Sequence, residues 1–212
     1  MKRKAFIRNE INKIISRDYP CLILDKTVGM ACYRYQNNEL DLKKRYYLSF
    51  VFDSYCEDCF SFECSWLSDM SSNIPTSHFK PKSLSASKGC LRIGFLAPEI
   101  LKQKPHSYQA VIPKSYEYRW SYGFGVVDEE IKPELECIVN DVADKIGRYA
   151  IPFFEDIARF HSGQSEMSPN LLKIDERLGN PHSLGALLVR ILTWPYRFVA
   201  GAFCTVFEIA LL

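Results

Sequence analysis

Apolar positions along residues 4–17 recur at helical spacing. Phe6, Ile7, Ile11, Ile14 and Ile15 share one face, with Lys4, Arg8, Asn9, Asn12 and Lys13 opposite, which predicts an amphipathic helix. Tyr19-Pro20 ends it, because the residue before a proline is pushed out of the α region. Residues 21–24 and 28–35 read as two strands around Asp25-Lys26-Thr27, and Gln36–Glu39 as a loop. Beyond it the period changes to two: Tyr46, Leu48, Phe50 and Phe52 alternate with Tyr47, Ser49 and Val51. Residues 59–66 repeat the pattern more cleanly. Phe60, Phe62, Cys64 and Trp66 take the core face, while Cys59, Ser61, Glu63 and Ser65 take the other, with Asp53–Asp58 as the connection.

Leu67–Lys88 carries Ser, Pro, Asn and Lys without periodicity and reads as a long surface loop. Cys90–Phe95 is a short strand, and residues 116–125 alternate Tyr116, Tyr118, Trp120, Tyr122 and Phe124 with polar or small residues. Gly123 and Gly125 point to a bulge or a close backbone approach near the end of that strand. Pro133 suits a first helical turn, and Leu135, Ile138, Val142, Ile146 and Tyr149 follow at helical spacing until an expected break at Ile151-Pro152. Phe153, Ile157 and Phe160 make a second, short helix.

These elements predict an α+β fold, an antiparallel sheet of about five to seven strands with an N-terminal helix and C-terminal helices packed on one face. The expected division is a core domain over residues 1–160, a polar linker over 161–183 and an apolar helical tail over 184–212. In the tail only Arg190, Arg197 and Glu208 are charged, and the uncharged run Phe198–Phe207 is half the length needed to span a bilayer. Its apolar stripe (Phe198, Val199, Ala202, Phe203, Val206, Phe207) suits packing on the domain or on a second copy, as in a homodimer; a membrane-surface contact using Trp194 and Tyr196, or partner binding, stays open.

Composition adds less. The 212 residues are 47% hydrophobic and 25% charged, which excludes disordered and low-complexity classes, and a net charge of +2 gives no strong nucleic-acid signal. Charge distribution says more: residues 127–160 hold nine acids against four bases, a balance of −5, so the remainder carries +7. Met1–Glu10 has no apolar segment behind its charges, so no secretory signal is read, a cytoplasmic location is expected, and the eight cysteines are expected to be reduced thiols.

The chemical motifs are weak. Cys56-Glu-Asp-Cys59 has zinc-knuckle spacing, but a second knuckle is missing from the sequence, and Cys64 belongs on the opposite side of its strand from Cys59, so neither metal nor cofactor is expected. Asp128, Glu130 and Lys132 have the residue types of a metal-dependent nuclease, yet acids at a helix entry are also what the helix dipole favours. His78, His106, His161 and His182 fall in expected loops, without a paired-histidine or nucleophile motif, and no glycine loop cradles phosphate. Bases on the first helix (Lys2, Arg3, Lys4, Arg8, Lys13, Arg17) read as solvated charge.

The order of helix, strands and acidic helix, with Phe60–Trp66, Leu91-Arg-Ile-Gly94, Trp120 and the Ile151-Pro-Phe-Phe-Glu155 element, resembles uncharacterised small bacterial α+β proteins found near polymorphic toxin, immunity and defence genes. It covers residues 1–160 and implies no catalytic residues. The expected function is a non-enzymatic protein-binding module, an immunity-type inhibitor of a basic toxin, binding through Asp128, Glu129, Glu130, Glu134, Asp141 and Asp144. The alternatives are a metal-dependent, nuclease-like enzyme and a membrane-peripheral subunit acting through the tail.

Overall fold

The first apolar stripe forms α1 (Arg3–Asp18), which buries Phe6, Ile7, Ile11 and Ile15. The structure is a computed structural model that describes residues 1–26, 31–40, 42–52, 58–68, 74–75, 80–102, 105–112 and 117–179. After α1 come β1 (Leu22–Leu24), β2 (Cys32–Tyr35), β3 (Arg45–Phe52), β4 (Cys59–Leu67) and β5 (Lys88–Arg92). A short helical turn α2 (Ile93–Leu96), a 3-10 turn (Pro98–Lys102), β6 (Gln109–Ile112) and β7 (Glu117–Ser121) follow. The chain then enters α3 (Lys132–Lys145), a π-helical turn (Ile146–Ala150), α4 (Ile151–Ser162) and α5 (Pro169–Gly179).

The strands make one antiparallel sheet in the order β1-β2-β3-β4-β7-β6, with β5 also on β4. β3 runs along all of β4 on one side. On the other side β4 is shared, Cys59 and Phe60 pairing with β7, and Glu63 to Leu67 with β5. Side chains at period two therefore align in rows across strands. Phe60, Phe62, Cys64 and Trp66 are at most 1% exposed and join one core cluster with Tyr33, Tyr35, Tyr46, Leu48, Phe50 and Trp120. The same cluster takes Ile7 and Ile15 from α1, Leu135 and Val142 from α3, Phe154 and Ile157 from α4, and Leu171 and Ile174 from α5. The fold is thus α+β with the helices on one face of the sheet.

Several boundaries differ from the sequence reading. The strand expected over Cys90–Phe95 ends at Arg92, where the chain turns into α2. The strand expected over 116–125 ends at Ser121, so the two glycines lie beyond it and serve the close backbone approach: Arg3 N donates to Gly125 O at 3.2 Å and the Arg3 side chain lies against Gly123, with both glycines at positive φ (63° and 114°), a conformation that costs an L side chain dearly. No break occurs at Pro152. The π-helical turn precedes it, the Ile151 amide bonds back to Ile146 O, and Pro152 falls in the first turn of α4, where its missing N–H costs little. Residues 161–183, expected to be a polar linker, contain α5, whose Leu171, Ile174 and Leu178 extend the core beyond residue 160. The tail over 184–212 and residues 53–57 of the expected Asp53–Asp58 connection lie outside the described residues. No helix of the described residues is long and apolar enough to cross a membrane.

The Trp66 indole lies over Gly89, its cross-strand neighbour, and donates Nε1–H to Ala86 O at 2.9 Å. A Cβ at position 89 would drive into the indole and the Pro81 ring. Gly89→Ala is therefore expected to lose about 1–3 kcal/mol of stability. Urea unfolding measures it; an unchanged midpoint would show that the ring is not packed as described.

Candidate functional site

The acidic stretch begins in the turn that leads into α3. Asp128 Oδ1 accepts from the Ile131 amide at 2.9 Å, and Asp128 O from the Lys132 amide at 3.1 Å, so this carboxylate holds the helix entry. Leu135, Ile138, Val139 and Val142 then anchor α3 on the core. That stripe leaves Asp128, Glu129, Glu130, Glu134, Glu136 and Asp144 exposed. Glu129, Glu130 and Glu134 make no hydrogen bond or ion pair among the described residues, while Asp144 pairs with the exposed Arg148 at 2.6 Å. Five of the six expected binding acids thus stand exposed along α3 and its entry turn.

Asp141 does not. Its Oδ2 accepts from Trp120 Nε1 at 2.7 Å and Gln109 Nε2 at 2.9 Å, with the Tyr118 hydroxyl at 3.5 Å, and its Oδ1 takes Lys145 Nζ. The Lys145 ammonium, on a residue only 6% exposed, also lies 5.2 Å from the Tyr118 ring centroid. Burial first, and the Asp141 charge second, push the Tyr118 phenol far up. Asp141 is therefore a bracket between α3 and strands β6 and β7. Its sequence signal was Lys145, three residues after Val142 on the buried stripe, with an acid one helical turn before it.

α1 packs on α3, and Tyr19 at its end donates to Ala143 O at 2.7 Å. On α1 the exposed Lys4 and Arg8 lie over the Phe52 ring, at 5.1 and 5.7 Å from its centroid, while Lys13 pairs with Glu10 and Arg17 with Asp18.

The other sheet face holds a second polar group. Glu63, Ser65 and Cys90 are buried there, although period two sent the first two away from the core. Arg92 Nη1 reaches Glu117 Oε2 at 3.3 Å and Arg92 Nε stands 3.8 Å from Glu63 Oε1; Arg119 grips Glu117 through Nε and Nη2. The Cys90 thiol donates to Glu63 Oε2 at 3.3 Å, and burial together with the Glu63 charge raises it well above the usual thiol range. Such a thiol stays protonated and is a poor nucleophile. Cys59 is half-buried with its Sγ 3.7 Å from Asp58 Oδ1, Cys64 is fully enclosed, and Cys56 lies outside the described residues. The six described cysteines are free thiols, and among the described residues no three His, Cys, Asp or Glu side chains gather as a metal-holding group.

His161, expected in a loop, sits in the last turn of α4. Its Nε2–H donates to Leu84 O at 2.8 Å, which leaves Nδ1 to accept from the Tyr46 hydroxyl at 3.0 Å, and the two rings stack with centroids 5.9 Å apart. Burial lowers its pKa to about 4. Asp175 takes the Leu84 amide at 2.6 Å and Lys44 donates to Ala86 O at 2.8 Å, so α4, α5, β4 and the residue before β3 together hold Leu84 and Ala86. Burial also lowers Lys44, to about 8. His106 is exposed and stacks on Tyr108, while His78 and His182 lie outside the described residues.

Comparison with protein-family models, with curated proteins and with solved structures finds no match for this chain.

Asp141→Ala would strand the Lys145 ammonium and two donors, and is expected to destabilise by about 3–5 kcal/mol, against about 0.5 kcal/mol or less for Glu134→Ala. Chemical denaturation of the pair checks it; similar small losses would show that Asp141 is merely a surface acid. His161 gives a pH signature. Its folded pKa, about 4, lies below the ordinary 6.5, so in that window the unfolded chain binds a proton that the folded chain refuses, and stability falls as pH falls. Melting temperatures of wild type and His161→Gln between pH 6.5 and 4 should diverge in slope, the variant being flatter; parallel slopes would remove His161 as the cause.

Proposed function

We propose that this chain is a non-enzymatic protein-binding module that receives a basic partner along the acidic ridge of α3, in the manner of an immunity-type inhibitor. The observation that carries the reading is the exposure of Asp128, Glu129, Glu130, Glu134 and Asp144 together on one entry turn and helix. Concentrated charge of one sign steers an oppositely charged protein and rejects like-charged ones. Rigidity supports the same reading. α3 is fixed by its apolar stripe, by the Asp128 turn and by the Asp141 bracket, so little ordering is lost when the ridge is covered. A basic toxin that works on nucleic acid presents a cationic groove of the kind such a ridge would occlude.

The test is the triple variant Glu129→Lys, Glu130→Lys, Glu134→Lys, which leaves Asp128 and Asp141 in their structural roles. A basic partner is identified by co-purification at low salt, and its affinity for both proteins is measured by calorimetry. The expected loss is about tenfold or more, with the fold retained and the melting temperature only slightly lower, since lysines at the helix entry oppose its dipole. Equal affinity, or a partner whose binding is insensitive to salt, would overturn the acidic-ridge reading.

A further inference from the structure

Charge steers a partner more than it holds one. Opposite charges raise the rate of encounter, while lasting affinity comes from apolar contact buried inside the charged rim. The surface beside the acids of the α3 entry offers that contact. Phe124 and Val126, on the turn that leads to Asp128, are 68% and 60% exposed, and Met1, bonded to the same turn, is 60% exposed. A short ladder fixes them in place. Lys2 pairs antiparallel with Val126, the Val127 amide donates to Met1 O at 2.9 Å, and Arg3 Nε donates to Val126 O at 3.2 Å. Val127 packs against the core and anchors the inner side of the ladder. Large apolar side chains held rigidly and left to solvent mark interaction surfaces, in which an aromatic ring is a common anchor.

The charges around this patch select its occupant. Asp128, Glu129 and Glu130 come next along the chain, all exposed. Of the nearby bases, Arg3 is drawn onto Val126 O, and Lys4 and Arg8 lie over the Phe52 ring; Lys2 stays exposed beside Val126. We propose that Met1, Phe124 and Val126 are the apolar core of the docking surface, and that they receive an apolar side chain standing among lysines or arginines on the basic partner. This rests on the reading of the chain as a binder of a basic protein and adds which basic surfaces it accepts. A uniformly charged surface meets the acids and leaves the patch uncovered; a surface with an apolar knob among its cations answers both.

The test titrates the full chain, by fluorescence anisotropy, with two dye-labelled octapeptides that carry a pair of lysines at each end. One has Gly-Leu-Phe-Gly at its centre, the other Gly-Ser-Ser-Gly. Wild type is expected to bind the apolar-centred peptide about tenfold more tightly. Phe124→Ser with Val126→Ser changes two exposed positions and keeps the backbone bonds of the ladder, so the fold should persist, and circular dichroism checks it. In that variant the two peptides should bind alike, with the serine peptide at its wild-type affinity, whereas Phe124→Leu should keep the preference. Lys2→Glu turns an opposing charge beside the patch into a favourable one and should tighten both peptides. The proposal is overturned if wild type binds the peptides equally, if the preference survives the double serine variant, or if Lys2→Glu leaves both unchanged. It is also overturned if sedimentation shows a dimer of the full chain that the double serine variant separates, since a second copy would then cover the patch. Failure of the underlying reading looks different: Glu129→Lys with Glu130→Lys and Glu134→Lys would leave both affinities unchanged, instead of weakening both and preserving the preference.

Discussion

Burial of the aromatic face of β4 is the interaction on which the other elements depend. Phe60 stacks on Trp120 and on Phe52 at centroid distances of 5.4 and 5.3 Å, and Phe62 stacks on Trp120 at 5.8 Å. One residue of β7 is thus held by two of β4. Each such ring contributes roughly 1.5–3 kcal/mol when fully buried, so a few of them match the whole net stability of a domain. Because this face must be covered, α1, α3, α4 and α5 lie on it, and their outward sides are left to the solvent. Trp120 links the two levels directly, its ring in the aromatic row and its Nε1–H on Asp141 of α3.

Acids close in sequence consequently have different fates. Asp141 serves the interior, Asp128 a backbone amide and Asp144 an arginine one turn away, while Glu129, Glu130 and Glu134 face outward. A charge count over residues 127–160 treats them alike; geometry separates Glu129, Glu130 and Glu134, exposed without a bonded partner among the described residues, from Asp128 and Asp144, exposed but bonded, and from the inward Asp141. The opposite sheet face follows the same rule. Glu63, Arg92, Glu117 and Arg119 are tolerated at low exposure because they answer one another, and breaking one member would cost more than the pair adds.

Much of this was legible in the sequence because period is robust. Strict alternation identified β3 and β4, and the spacing of Phe6, Ile7, Ile11 and Ile15 identified α1, since both patterns report a single buried face. The misses have physical reasons. β6 is four residues, Gln109–Ile112, too short to show a period. Pro152 ordinarily signals a break, yet a preceding π-helical turn lets the helical run pass through it. α5 has only three buried residues among polar ones, so its pattern reads as linker. His161 looked like loop chemistry because nothing local announces Tyr46 or Leu84, which are distant in sequence. Of the expected site, the exposed acids could be read from helical phase; the inward turn of Asp141 needed the position of Trp120.

The most direct test of the acidic ridge is zero-length carbodiimide crosslinking of the chain to its captured basic partner, with the joined peptides mapped by mass spectrometry. Crosslinks from Glu129, Glu130 and Glu134 to partner lysines are predicted. Crosslinks confined to acids elsewhere on the surface, such as Glu10, Asp18, Glu166 or Glu176, would contradict it and place the partner on another face.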